Sequence, residues 1–421
     1  MLLRERRFLP LFVTQFLGAL NDNVLRNALI VLLTFQAANW TTLKPEMLAN
    51  LITGVFILPL FLFSATAGEM ADKFDKALLT GIFKRNEVGI VLVAGVGFGL
   101  RSLAIMIATV FLLGLNSALF GPIKYAILPQ QLKANELVDG NALIEVGTFV
   151  AILLGTLLGG LLAASSNGGV ITAGALGIAI AGYLASRAIR PAAPPAPNLK
   201  ISINPISATW RSVNSARQNR SAFLAILGIS WFWLYGAIFL AQFPAYTRNV
   251  LGGDELSVTL LLVTFTLGIG VGSLLCAQLS AGRVRLGLVY LGAIGLTLFA
   301  LDLAYASPCP PVRTELRGIV ALLSIPGTWR ILADLALLGV SGGLFAVTLY
   351  ALMQQRSDET SRARIIGANN ALNAISMVIG ALAAAVMLTS GVLIPALFGV
   401  AALCNAAVAV FLWWHLRLST S

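Results

Sequence analysis

Charge is scarce in this chain: of 421 residues only 11% are Asp, Glu, Lys or Arg, and histidine occurs once, at His415. A soluble domain carries about 25% charged residues, so the composition excludes a chain surrounded by water. A single histidine excludes His-rich metal sites and His-dependent catalysis, and no Ser/His or Cys/His constellation offers a nucleophile with its base. No catalytic residue, metal or cofactor is expected. Cysteine is nearly as rare: Cys276, Cys309 and Cys404 stand alone without CxxC spacing, which argues against a disulfide framework. Acidic residues number 17 against 28 basic ones, for a net charge of +11. The basic residues form small clusters between apolar runs rather than one continuous face, the pattern of loops at a membrane surface and not of a nucleic-acid binder.

Apolar residues, by contrast, make up 58% of the chain. Windows of about 19 residues predict twelve helices near 8–36, 47–70, 77–99, 102–128, 138–164, 168–189, 221–247, 255–280, 286–305, 329–353, 364–389 and 392–416. The fold class expected is an all-α polytopic membrane protein. Arg4, Arg6 and Arg7 imitate the start of a signal peptide, but the apolar stretch that follows is far longer than the roughly 7–15 residues of such a segment, and it reads as a first spanning helix. Ser307-Pro308-Cys309-Pro310-Pro311 and Pro326-Gly327 break the pattern between the ninth and tenth helices, where a loop outside the cytoplasm with a short surface helix is expected. The one long linker, 190–220, divides the chain into six-helix halves, 1–189 and 221–421.

Basic residues fall mainly on alternate loops and the helix ends beside them. One side receives Arg4, Arg6, Arg7, Lys73, Lys76, Lys84, Arg85, Lys124, Lys133, the linker and Arg417, while the other receives Lys44, Arg101, Arg248, Arg313, Arg317 and Arg330. The positive-inside bias predicts that both termini are cytoplasmic. The halves also repeat: Leu119-Phe120 matches Leu344-Phe345, Tyr125-Ala126 matches Tyr350-Ala351, Gln130 matches Gln355, and Asn141-Ala142-Leu143 matches Asn370-Ala371-Leu372. Parallel six-helix repeats resemble the architecture of major facilitator transporters.

Several groups could carry chemistry. The first helix holds Gln15, Asn21, Asp22, Asn23, Arg26 and Asn27 in an otherwise apolar run. Gln15, Asp22 and Arg26 fall within about 40° of one another on a helix, and Asp22 with Arg26 is an i, i+4 pair of opposite charge. A mid-membrane charge costs about 2.5–3.5 kcal/mol, so this stripe should face the protein interior, either as helix glue or as the lining of a substrate cavity. Helix four ends in Gly121-Pro122-Ile123-Lys124-Tyr125, where Pro122 frees a backbone carbonyl. Helix five places Asn141 and Glu145 one turn apart, and Lys124 with Glu145 is a candidate pair, beside the reading of a snorkelling lysine. Gly155 and Gly159 have the spacing of close helix packing. On helix seven, Trp231, Tyr235 and Gln242 share a face suited to an amphiphile or to packing. Asn369, Asn370 and Asn373 supply uncharged polar groups on helix eleven. The loop Gly68-Glu69-Met70-Ala71-Asp72-Lys73-Phe74-Asp75-Lys76 resembles the major facilitator gate signature, with Gly68, Asp72, Lys73 and Lys76 as gating candidates and Asp75 where many members have glycine.

Together these strings resemble the bacterial lysophospholipid transporter family of the major facilitator superfamily. The resemblance rests on Phe16–Asn23, Gly68–Lys76, Gly121–Gln130, Gly140–Gly160, Ile229–Pro244 and Gly342–Asn373, and so spans both halves. It implies a multi-pass protein of the bacterial inner membrane that imports lysophosphatidylethanolamine-type lipids for reacylation. It implies no obligatory ion gradient. The partners implied are the lysophospholipid substrate, membrane lipids and a separate acyltransferase on the cytoplasmic face, since the acyltransferase domain of fused members is expected to be absent from a chain ending at Ser421. A proton-coupled antiporter exporting a drug or metabolite, with Asp22 or Glu145 carrying the proton, stays as the rival transporter; a membrane enzyme and a non-transporting receptor are rivals of other classes.

Overall fold

A computed structural model describes residues 2–36, 40, 45–165, 167–202, 204–308 and 316–420. Among them are twelve helices of 19 residues or more: α1 Leu9–Gln36, α2 Pro45–Lys73, α3 Lys76–Gly99, α4 Leu103–Ala126, α5 Leu137–Ala164, α6 Gly168–Ser186, α7 Arg220–Tyr246, α8 Glu255–Ser280, α9 Leu286–Ala306, α10 Pro326–Arg356, α11 Arg362–Thr389 and α12 Ile394–Thr420. Eleven are long and apolar enough to cross a membrane. The other, α3, carries Lys84, Arg85 and Glu87 within its 24 residues, and its length of about 36 Å still suffices to span. Lys44, Cys309, Pro310, Pro311 and Arg313 lie outside the described residues.

Polar caps set the helix boundaries. Asp75 accepts hydrogen bonds from Ala77 N and Leu78 N at the start of α3, Asn167 accepts one from Gly169 N before α6, and Asp254 one from Ser257 N before α8. Asp75 has φ −61°, so the turn between α2 and α3 needs no left-handed residue and the usual glycine is dispensable. A short helix, Ile319–Leu323, lies between α9 and α10, as the sequence predicts. The linker holds a helix that the apolar windows do not reveal, Pro205–Arg217. Asn204 caps it, Pro205 occupies its first turn, and Ala208, Ser212 and Ala216 form its buried stripe. These small residues repeat every fourth position but give no hydropathy peak.

Contacts group the chain into two compact units. Unit 1 comprises Met1–Gly140, Val150–Asn219 and Ser357–Ala374; unit 2 comprises Asn141–Phe149, Arg220–Arg356 and Ile375–Ser421. In unit 1, Leu25, Leu29, Val91, Ala94, Ile171 and Ala175 from α1, α3 and α6 share a core. Because lipid is as apolar as leucine, close fit rather than the hydrophobic effect holds such helices together. A Cβ on Gly155 would lie 2.6 Å from Asn23 Cβ, and one on Gly159 2.6 Å from Val24 O, so both glycines admit the α1 backbone. In unit 2, Tyr235, Phe239, Phe398 and Tyr246 stack successively, with the Phe239 and Phe398 centroids 4.4 Å apart. Leucines at 161, 184, 298 and 382 face outward, as lipid-facing positions do.

Candidate functional site

The polar residues of α1 turn into unit 1, where Gln15, Asn21, Asp22 and Asn23 are all buried. Asp22 accepts a hydrogen bond from the Ser117 hydroxyl of α4. Arg26 donates to Asn23 Oδ1 at 2.6 Å and lies over the Phe56 ring, 4.9 Å from its centroid. The i, i+4 ion pair expected between Asp22 and Arg26 is therefore not made as a contact. Ser117 and Asn23 offer shorter routes to satisfaction, so the two charges remain neighbours on one face with their side chains turned to different partners. Asn27 bonds Thr156 of α5 and seats the helix beside that face.

Next to it lies a buried ion pair. Lys84 Nζ and Glu87 Oε2 of α3 are 2.6 Å apart with both side chains 2% exposed, and Asn21 Nδ2 donates to Glu87 Oε1 at 2.8 Å. Lys84 also lies over the Phe120 ring. A Cβ on Gly18 would overlap the Lys84 ammonium, so α1 leaves an opening at Gly18 for that head. Counting Lys84 with the basic residues of a membrane surface is thus corrected: it is an interior charge neutralised one turn along its own helix. Its i, i+3 spacing from Glu87 in an apolar run was the available signal.

Lys124 reaches over the ring of its neighbour Tyr125 at 4.9 Å. Asn370 of α11 sits against Gly121 of α4, with its amide nitrogen 2.8 Å from where a Cβ would be; Asn373 is buried one turn on. Asn141 and Gln354 exchange two hydrogen bonds of 2.8 and 2.9 Å inside unit 2, where Glu145 is buried as well. Lys124 and Glu145 belong to different units, and their pairing stays an expectation. On α7, Trp231 donates to Asn405 of α12, and the Tyr235 hydroxyl donates to Leu296 O of α9. The face expected to suit an amphiphile is here a packing face, because both polar atoms are used to clamp neighbouring helices. Gln242 instead borders a cavity of about 450 Å³ with Asn249 and Ser307. Trp233, absent from the sequence candidates, bonds Tyr350 and stacks on Phe149.

Two of the gate candidates, Gly68 and Asp72 of α2, meet the start of α11 in unit 1. Asp72 Oδ1 accepts from Ala363 N at 3.0 Å, and Oδ2 accepts from Arg364 N and Arg364 Nε at 3.2 and 3.1 Å. Asp72 thus caps the first turn of α11 from another helix, and the orphan amides and positive end of that helix favour a carboxylate there. A Cβ on Gly68 would overlap the Ala363 carbonyl oxygen, so glycine permits the approach. Lys73 lies over the Phe74 ring, while Lys76 is buried in the first turn of α3. Glu69 binds Arg211 and Ser202 N; Asp75 Oδ2 accepts from Ala192 N, and Asp72 O from Ala196 N. The start of the linker is thereby strapped across the α2 and α3 ends. Nearby, Glu136 and Glu5 hold the Arg7 guanidinium above its already high ordinary pKa.

Twelve long helices, a charged α2–α3 turn holding a distant helix start, and ionisable groups buried in apolar helices define a membrane transporter. The Major Facilitator Superfamily profile matches residues 11–313, and the chain belongs to that family. It is 28% identical over 418 residues to the lysophospholipid transporter LplT of Escherichia coli strain K12, an alignment covering 96% of this chain and 95% of that protein. Its fold is similar to that of the human organic anion transporter MFSD10 (TM-score 0.75, 16% identity, 97% of this chain and 99% of that one). It is also similar to FucP in the outward conformation (TM-score 0.71, 15% identity, 97% and 98%).

Proposed function

We propose that this chain is a lysophospholipid transporter that moves lysophosphatidylethanolamine-type lipids from the outer to the inner leaflet of a bacterial inner membrane, where a separate acyltransferase reacylates them. The observation that carries the reading is the likeness to LplT along nearly the whole chain, and the buried polar face of α1 supports it. On this reading the protein has no catalytic step of its own. Asp22, Arg26, Gln15 and Asn23 meet the zwitterionic head group: each charged group of the head finds an opposite charge on the same helical face. Gly68, Asp72, Lys73 and Lys76 act at the gate. Residues 1–189 and 221–421 form the six-helix repeats, with 190–220 as linker.

One acyl chain can stay in apolar surroundings during the movement. A second adds about 0.8 kcal/mol for each CH₂ drawn from the bilayer, so diacyl lipids should be much slower. The test is a panel in proteoliposomes: labelled lysophosphatidylethanolamine, its diacyl counterpart and soluble cationic drugs, each with and without a pH gradient. The expected result is fast movement of the one-chain lipid alone, independent of the gradient. Gradient-driven flux of a soluble compound, with no lipid movement above empty vesicles, would establish the antiporter instead.

The topology that goes with this function places both termini and the linker in the cytoplasm, because Arg190, Lys200, Arg211, Arg217 and Arg220 lie on the basic side. Protease added to inverted vesicles should cut within 190–220, and protease added to intact spheroplasts should not. Cleavage only in spheroplasts would reverse the orientation.

A further inference from the structure

We propose that unit 1 carries, apart from the α1 face, a binding site for the phosphate-bearing head group of an anionic membrane phospholipid, in the cleft between the start of α3 and the end of α6. The cleft encloses about 470 Å³, and Gly81 and Arg85 of α3, Tyr183 of α6, Arg187 just beyond it and Pro191 of the linker line it. Both arginines are exposed. Neither guanidinium has a hydrogen-bond, ion-pair or ring partner among the described residues. This separates them from Arg7, Arg211 and Arg364, whose charges are taken up by Glu136, Glu69 and Asp72.

The one acid of the cleft, Asp75, is already engaged. Its Oδ1 accepts from Ala77 N and Leu78 N, and its Oδ2 accepts from Ala192 N. With that carboxylate counted, the cleft holds an excess of one positive charge, which a phosphodiester monoanion neutralises. Guanidinium forks are well matched to phosphate oxygens, and Tyr183, which also lines the cleft, carries a hydroxyl donor. The location selects a lipid over a dissolved ion. Spanning helices end where head groups lie, and Leu78, which lines the cleft, is 62% exposed, an apolar edge on which an acyl chain can continue. Since Pro191 lines the cleft and Asp75 holds Ala192, a bound head group would also fasten the start of the linker strap.

The test titrates the purified full-length protein with diacyl phosphatidylglycerol and with phosphatidylcholine, and reads bound lipid by native mass spectrometry. Each basic residue at an anionic membrane surface is worth about fivefold in affinity. The Arg85→Gln, Arg187→Gln double variant should therefore lose phosphatidylglycerol by on the order of 25-fold. Arg283→Gln, the same charge change on another exposed arginine, should leave it unaltered. Gly81→Leu keeps both charges and meets no neighbour at its Cβ position, so it tests occupancy without threatening the fold. It should weaken binding by filling the cleft. Asp22→Asn should bind phosphatidylglycerol normally, which keeps this site distinct from transport. Three results would each overturn the proposal: equal loss with Arg283→Gln, full binding by both cleft variants, or equally strong competition by inorganic phosphate.

Discussion

Glu87→Leu alone is expected to destabilise the protein by about 3–5 kcal/mol, because removing one partner of a buried ion pair strands the other charge. Lys84 would lose the carboxylate that lies 2.6 Å from its ammonium in the opening at Gly18. The double replacement Lys84→Met, Glu87→Leu removes both charges and keeps the volume, so it should be less destabilised than the single variant, short of full recovery by the cost of leaving Asn21 Nδ2 without its acceptor. Thermal unfolding of the purified variants in detergent, followed by tryptophan fluorescence, gives the comparison. Equal destabilisation by the single and double variants would mean that the pair is not what neutralises α3.

The second large effect concerns Asp72. Asp72→Ala leaves Ala363 N and Arg364 N without their acceptor, and a stranded buried donor costs about 1–3 kcal/mol. Amide exchange at Ala363 and Arg364 should accelerate by roughly 5- to 150-fold, the range that cost corresponds to. Gly68→Leu should loosen the same amides by overlapping the Ala363 carbonyl, while Glu69→Gln, which touches the linker rather than α11, should leave them protected. Unchanged exchange in Asp72→Ala would show that α11 starts without help from α2.

The twelve helices were legible because a spanning helix needs about 20 apolar residues, and that length shows in the sequence. The stripe at Asp22 and Arg26 was legible for the opposite reason, since charge in an apolar run stands out. Which partners those charges take was not, because Ser117 and Phe56 come from other helices and nothing local announces them. In sequence, a lysine near a helix end looks the same whether it snorkels or turns inward; for Lys84 only Glu87 three residues on separates the cases. The α7 periodicity at Trp231 and Tyr235 shows that the two share a face, and the face proves to be covered by α9 and α12. A 3.6-residue period specifies direction around a helix but not what lies in that direction. The linker helix escaped notice because its buried side is built from alanine and serine.

On the proposed function, the α1 polar face carries the head group of a lysophospholipid. The most direct test of that role is the initial rate at which labelled lysophosphatidylethanolamine crosses to the inner leaflet of sealed vesicles containing equal amounts of folded wild-type or Asp22→Asn protein. Wild type should move the lipid well above the protein-free rate, and Asp22→Asn should lose about tenfold or more, since one lost charge contact of roughly 1.5–3 kcal/mol corresponds to that factor. Wild-type speed from Asp22→Asn would contradict that role.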